Sequence, residues 1–424
     1  MRTHPVLDAC VARGMRLGLD QIRAFLTAMG EPHRAVPMVH VAGTNGKGSV
    51  STMTAAALTA SGLRVGTYLS PHVEEINERI RLDGEPVPDG LLNEAIEAVA
   101  RASSTYFDAM GTPSAGLTYF EFMTVVAFYV FSTQRVDVAV IEVGLGGRLD
   151  ATNVVDPLVC AITSIGLDHQ TQLGDDIAGI AREKAGIIKR GVPVVLGPMP
   201  TEAMDAIVEI ARARGAEVWR PGVHLRRQHA DDRWSFSCPT GSVTSLQIAL
   251  AGTHQVANAS VAFGVVQRLR GMGFPVSEEC IRTGFAAAHI EGRLEELRPG
   301  LVVDGAHNEL GARALAGWLA KRPRPATRIL LWGMGEGRDA AAVLAPLVEH
   351  FDEVVTTRCA HPKARDPYEL AMSLQDIDCV LSAAGPIEEA LPEVLAEADE
   401  VIAAGSLFLA GAVRSLVREM DADV

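Results

Sequence analysis

The stretch Val39-His40-Val41-Ala42-Gly43-Thr44-Asn45-Gly46-Lys47-Gly48-Ser49-Val50 constrains this chain more than any other part of it. An apolar β-type run enters a glycine-rich loop, and a helical pattern over residues 49–60 leaves it. That layout is suited to gripping a triphosphate. Glycines let backbone N–H groups turn inward, the helix N-terminus adds positive potential, and a lysine neutralises the β and γ oxygens. The match to G-x-x-x-x-G-K-[ST] is imperfect: Val41 stands where the first glycine belongs, and Gly48 separates Lys47 from Ser49. The loop is a variant, and Thr44, Asn45, Gly46, Lys47, Gly48 and Ser49 read as an ATP site.

Around this loop, short apolar runs at 38–42, 64–69, 136–141, 159–163 and 193–196 alternate with helical patterns at 49–60, 91–102, 120–131, 177–189 and 202–214. Runs that are continuously apolar, rather than alternating, predict parallel strands covered on both faces. Residues 223–250 differ, with short mixed segments such as Arg233-Trp234-Ser235-Phe236-Ser237 that predict an antiparallel excursion. A second series follows, with strands expected at 301–303, 328–332, 353–357 and 400–403 and helices at 310–320, 340–349, 387–396 and 407–418. A chain of 424 residues exceeds one ordinary core. The expectation is an α/β protein: a P-loop-type parallel-sheet N-terminal domain over 1–290 and a smaller Rossmann-like α/β C-terminal domain over 291–424.

Composition narrows the partners. Lys+Arg 38 against Asp+Glu 52 gives a net charge of −14, which argues against nucleic acid or an anionic membrane, since both need a basic face. Six scattered cysteines with no C-x-x-C pair read as small buried hydrophobes in a reducing compartment. No secretory h-region and no run of membrane-spanning length is visible, so a cytoplasmic protein is expected.

The run Asp137-Val138-Ala139-Val140-Ile141 ends in Glu142-Val143-Gly144-Leu145-Gly146-Gly147. Carboxyl ends of parallel strands line the ligand crevice, so Glu142 stands where an acid would hold the Mg²⁺ of Mg-ATP. The next run leads to Gly166-Leu167-Asp168-His169, and a helix then presents Glu183-Lys184-Ala185-Gly186. Alone, His169 and Lys184 read as a structural imidazole and a solvated ammonium. Both, however, follow the sheet edge that carries the loop and Glu142. The segments around Asn258, Arg293 and Asp304-Gly305-Ala306-His307-Asn308 read individually as turns or caps. The residues by themselves leave open either an ATP-consuming enzyme or a P-loop nucleotide switch that forms no bond.

Taken in order, these segments resemble the folate-adding branch of the Mur-type ATP-dependent amide ligases, and within it the bacterial bifunctional dihydrofolate synthase/folylpolyglutamate synthase group. The likeness runs from Leu17-Gly18-Leu19 to Gly405-Ser406-Leu407. It rests on residues 43–49, Ser70-Pro71-His72, Phe120-Glu121, residues 142–153, Glu183-Lys184-Ala185-Gly186-Ile187, His254-Gln255 with Asn258, and residues 304–308.

The resemblance implies that ATP converts a substrate carboxylate to an acyl phosphate, which the amine of L-glutamate attacks. Dihydropteroate and reduced folates are the acids it implies. Lys47, Glu142, His169, Lys184 and His307 form the implied catalytic set. Ser70 and Glu142 would hold one Mg²⁺, and His169 and Lys184 a second. Lys184 would act there as a carbamate, because an ammonium cannot ligate a cation. Asn258, Arg293 and Asp304 match ATP contacts, with His307 beside the phosphates. Thr118, Tyr119, Phe120 and Glu121, with Leu149, Asp150 and Ala151, match dihydropteroate contacts. Phe120 offers a stacking face and Asp150 offers acceptors for pterin N–H groups. The resemblance favours a monomer. It leaves open a polyglutamylating enzyme without dihydropteroate activity, and a ligase for a peptidoglycan precursor. The sequence departs from the family pattern at Glu291 and Glu309, where proline is usual, at Arg338, where lysine is usual, and at His361-Pro362-Lys363-Ala364.

Overall fold

The computed structural model describes residues 4–112 and 116–422. They form two compact units. One runs to Ala249 and resumes over Ala257–His289; the other takes Leu250–Val256 and continues from Ile290.

The first unit is built on eight strands: β1 (Met38–Ala42), β2 (Val65–Tyr68), β3 (Ile80–Leu82), β4 (Glu85–Pro86), β5 (Val138–Glu142), β6 (Val159–Ile162), β7 (Val194–Leu196) and β8 (Val218–Trp219). Their order is β4-β3-β2-β5-β1-β6-β7-β8. All pairings from β2 to β8 are parallel; β3 and β4 add an antiparallel edge. Every residue of β1, β2, β5 and β6 is buried, as the unbroken apolar runs require of strands covered on both faces. Phe25, Phe122, Phe128 and Phe131 fill one of its apolar clusters, and Ile162, Ile180, Leu196 and Ile207 fill another.

The excursion after β8 is a three-stranded antiparallel sheet, β9 (Arg226–Ala230), β10 (Arg233–Cys238) and β11 (Gly241–Leu246). Asp231 and Asp232 connect β9 to β10 with φ of 49° and 57°. A two-residue hairpin turn needs this left-handed backbone at both central positions, and aspartate tolerates it.

The second unit holds β12 (Glu295–Arg298), β13 (Leu301–Val303), β14 (Arg328–Trp332), β15 (Glu353–Arg358), β16 (Leu381–Pro386) and β17 (Glu400–Ala404), ordered β12-β13-β17-β14-β15-β16. Only β12 runs antiparallel. The helix expected over 340–349 stops at Leu344, with Ala345 still helical as its C-cap and Pro346 following, which has no N–H to continue the ladder. The helix expected over 177–189 ends at Ala185, with Gly186 as its C-cap. Of the six cysteines, Cys10, Cys160 and Cys359 are buried while Cys238, Cys280 and Cys379 are half-buried, and all are free thiols. No helix among the described residues is long and apolar enough to cross a membrane.

Candidate active site

Strands β2, β5, β1 and β6 lie side by side. The register pairs Tyr68 with Ile141, Val41 with Glu142 and Ala42 with Ile162. Ser70, Glu142, the 43–49 loop and the 164–169 loop therefore leave the sheet at one edge. This is the placement that parallel strands impose.

The glycine-rich loop is stitched to the exit of β6. A Cβ on Gly43 would fall 1.8 Å from Thr163 Oγ1. Thr163 Oγ1 donates to the Asn45 carbonyl at 2.6 Å, the Thr44 N–H donates to the Ser164 carbonyl at 2.7 Å, and the Asn45 N–H donates to Ser164 Oγ at 3.1 Å. Thr44 Oγ1 accepts the Gly166 N–H at 3.1 Å. Gly46 adopts φ 84°, and a Cβ there would stand 2.3 Å from Asn258 Oδ1. Only glycine satisfies both demands. As N-cap of the helix Lys47–Thr59, Gly46 provides no side-chain acceptor. The first-turn N–H groups and the positive helix end are thus available to an anion. Lys47 Nζ donates to the Thr44 carbonyl at 3.1 Å, so its charge folds back over the loop.

Glu142 is buried at the end of β5, and its Oε2 accepts the Ser70 N–H at 3.2 Å. Lys184 is buried on the helix Ile177–Ala185, with Nζ donating to the Gly43 carbonyl at 2.9 Å. Burial pulls its ammonium down to about 7; repulsion from Lys47 adds to this, while Asp168 and Asp150 oppose it. His169 is exposed on the same edge, with a left-handed φ of 51°. Its N–H donates to Asp168 Oδ1 at 2.9 Å, and its Nε2 lies 3.9 Å from that oxygen.

In the second unit β13 runs into Asp304, whose two oxygens accept the Leu294 and Ala306 N–H groups, each at 2.8 Å. Gly305 lies against Arg293: a Cβ there would fall 2.2 Å from Arg293 Nη1. His307 Nδ1 is 2.7 Å from the Gly305 carbonyl, and the His307 carbonyl accepts Arg338 Nη1 at 2.7 Å. His254 belongs to the segment that this unit takes from the middle of the chain. Burial lowers its pKa, Asp304 raises it and Arg293 lowers it, and its Nδ1 is buried without a hydrogen-bond partner.

Residues 91–266 match the Mur ligase middle domain, and residues 292–417 match the family described as dihydrofolate synthetase, C-terminal domain. The dihydrofolate synthase/folylpolyglutamate synthase of Mycobacterium tuberculosis is 35% identical, covering 94% of this chain and 89% of its own. The chain belongs to the dihydrofolate synthase/folylpolyglutamate synthase family. Two solved members of that family share its fold throughout. Escherichia coli FolC in complex with DHPP and ADP superposes with a TM-score of 0.88 at 31% identity, covering 98% of this chain and 96% of its own. The bifunctional folylpolyglutamate synthase/dihydrofolate synthase of Yersinia pestis, complexed with AMPPNP and Mn ion, gives 0.85 at 32% identity and 98% of both chains.

The two loops that family resemblance assigns to the acid substrate are well ordered by their own bonds. Thr118 and Glu121 form a capping box at the start of the helix Tyr119–Thr133. The Thr118 N–H donates to Glu121 Oε2 at 2.8 Å, and the Glu121 N–H donates to Thr118 Oγ1 at 3.4 Å. Tyr119 and Phe120 are half-buried; the Phe120 ring leans on Tyr68, centroids 6.1 Å apart, and lies where a Cβ on Gly144 would be. Asp150 is buried. Its Oδ2 accepts the Leu145 N–H at 2.9 Å and its Oδ1 the Thr152 N–H at 3.0 Å and the Thr152 hydroxyl. Burial raises its pKa against the pull of these bonds. Leu149 and Asp150 line a cavity of about 160 Å³ together with Leu17, Leu145 and Leu173, while Ala151 is buried in the turn that follows.

A magnesium ion is compatible with these residues. Among the described residues no cluster of three or more His, Cys, Asp or Glu side chains could hold a metal. Ser70 Oγ, however, is buried without a hydrogen-bond partner, in a residue whose own N–H donates to the Glu142 carboxylate. Magnesium commonly takes one or two protein oxygens and completes its shell with water and phosphate, so one carboxylate and one hydroxyl suffice. The sequence reading missed Thr163 and Ser164, which form the second wall of the phosphate loop. The available signal was their position, directly after a strand adjacent to β1.

Proposed function

We propose that this protein is an ATP-dependent ligase that joins L-glutamate to dihydropteroate and to reduced folates. A carboxylate oxygen of the acid attacks the γ-phosphorus, giving an acyl phosphate and ADP. The glutamate nitrogen then attacks the acyl carbon, phosphate leaves, and the amine loses a proton. The observation that carries this reading is the glycine-capped loop at an edge that also bears Glu142 and the orphaned Ser70 hydroxyl.

Residues 44–49 cradle the phosphates, and Lys47 neutralises charge as it builds on the transferred group. Asn258, Arg293 and Asp304 serve the nucleotide, with His307 beside its phosphates. Ser70 and Glu142 hold one magnesium ion. His169 and Lys184 support a second, and for that role Lys184 must carry a carbamate. A bound magnesium ion offsets the negative charge shared by the phosphates and the acid. Thr118, Tyr119, Phe120 and Glu121 form one wall of the acid site and Leu149, Asp150 and Ala151 the other, with Asp150 acting by holding its loop in shape. The enzyme works as a cytoplasmic monomer, with small molecules as its only partners.

ADP release measured with dihydropteroate and with tetrahydrofolate in separate assays tests the reading. Glutamate-dependent release with both acids is expected. Hydrolysis indifferent to glutamate would favour a nucleotide switch, and activity confined to tetrahydrofolate would remove the dihydropteroate step. The carbamate is tested with isotope-labelled bicarbonate: a protein-bound carbamyl signal is expected in the wild type and absent in Lys184→Ala.

A further inference from the structure

Nothing in the reading above uses the N-terminal segment, yet it is bonded to the entrance of the acid site. Arg16 Nη1 donates to Gln21 Oε1, which fixes the direction of the Gln21 amide. The Gln21 Nε2 then donates to the Gly116 carbonyl at 2.8 Å, and Arg16 Nη1 approaches the same oxygen at 3.4 Å. One residue further along, Arg13 Nη1 donates to the Leu117 carbonyl at 3.3 Å. Gly116 and Leu117 lead directly into Thr118, the N-cap of the helix that presents Tyr119, Phe120 and Glu121.

The same arginine faces a carboxylate. Arg16 Nη1 lies 4.0 Å from Glu121 Oε2, and the Glu121 side chain is only 4% exposed. Glu121 Oε1 is buried with no hydrogen-bond partner, so half of this carboxylate relies on nearby charge rather than on a donor. Between Arg16 and Gln21, Leu17 reaches the cavity lined by Leu149 and Asp150. The segment therefore touches both loops that the proposed acid site is built from.

We propose that Arg16 and Gln21 are positioning residues for the acid substrate. They hold the Gly116 carbonyl and the Glu121 carboxylate, and so set the orientation in which Thr118, Tyr119 and Phe120 meet the acid. The inference rests on the reading that residues 118–121 contact dihydropteroate. Both side chains lie at the protein surface, Arg16 exposed and Gln21 half-buried, so their truncation leaves the cores intact.

The test is steady-state kinetics on Gln21→Ala, Arg16→Ala and Arg16→Lys, with ATP, glutamate and dihydropteroate varied in turn. KM for dihydropteroate should rise about five- to tenfold in the alanine variants, the size of one or two ordinary hydrogen bonds. KM for ATP and for glutamate should stay within about twofold, and Arg16→Lys, which keeps the cation, should recover part of the loss. Gln21→Glu cannot donate to Gly116 and should behave like Gln21→Ala. Unchanged KM for dihydropteroate, or an equal rise for all three substrates, overturns the proposal. Phe120→Ala separates the two layers of inference. If it raises KM for dihydropteroate while Gln21→Ala does not, the clamp alone is wrong; if neither does, the assignment of the acid site falls as well.

Discussion

The helices Lys47–Thr59 and Glu309–Leu319 each follow a strand end, one in each unit, and their first turns are finished in opposite ways. Lys47–Thr59 begins at Gly46, which supplies no side-chain cap. Glu309–Leu319 begins at Asn308, whose Oδ1 accepts the Gly311 N–H at 2.9 Å, while Asp304 just before it closes on two further N–H groups. An uncapped helix start keeps its donors for an incoming anion, whereas a capped start has already satisfied its own. The contrast leaves the helix start of the first unit the one with donors to offer a phosphate. It gives the loop after β13 the task of holding Arg293 and His307 in fixed positions.

The largest effect expected from this contrast is at Lys47. Lys47→Ala should lower kcat by about a hundred- to a thousandfold, the scale of removing a preorganised charge from a developing anion, with an unchanged melting temperature. Near-normal turnover would break the contrast at its stronger side. Asp304→Ala should instead cost stability. It leaves the Leu294 and Ala306 N–H groups without their acceptor, worth roughly 2–3 kcal/mol in denaturant unfolding. A loss below about 0.5 kcal/mol would show that the loop does not depend on this carboxylate. Asn308→Ala, a cap deletion, should cost about 1 kcal/mol and leave KM for ATP within about twofold. A tenfold rise in that KM would mean that the second helix start also binds the nucleotide.

The smallest effect at neutral pH is expected at His40, which lies on β1 beneath the open end. Its imidazole is fully buried with Nε2 2.8 Å from Thr152 Oγ1, and burial, with Lys189 adding to it, lowers its pKa to about 3. Between about 3 and the ordinary 6.5, the unfolded chain binds a proton here that the folded chain does not. Stability should therefore fall as pH drops through that window. His40→Asn should give a shallower fall, read from urea midpoints at several pH values, while differing little in slope above pH 6.5. An identical slope in both proteins would show that His40 is not what the acid limb reports.

Much of this was legible beforehand. The runs at 38–42 and 301–303 coincide with β1 and β13, because an unbroken apolar run between turn signals leaves little choice. The antiparallel character of β9–β11 was visible in its mixed composition. β16 was not: Leu381-Ser382-Ala383-Ala384-Gly385-Pro386 has no β-branched residue, and the strand exists because β15 offers it a ladder. β12 escaped notice for a similar reason, as an edge strand carrying two glutamates and an arginine. At the candidate site, the placement of the loop and of Glu142 at strand ends was readable because the apolar runs before them fix it. Thr163, Ser164, Arg16 and Gln21 were not, since each acts on a loop remote in sequence, and only the folded chain brings the two together.

The contact between residues 147–148 and 183–186 has a consequence for how such an enzyme can change. A Cβ on Gly186 would fall 2.4 Å from the Arg148 Cα, one on Gly147 would fall 2.8 Å from the Glu183 carbonyl, and the Arg148 N–H donates to that carbonyl at 2.8 Å. The loop that carries Leu149 and Asp150 is thus laid backbone to backbone on the end of the helix that carries Lys184. Widening that loop would displace the lysine. If the proposed acid site holds, a lineage drifting toward new acids has its freer route in the side chains at 118–120, where a change in shape can be tried without disturbing Lys184.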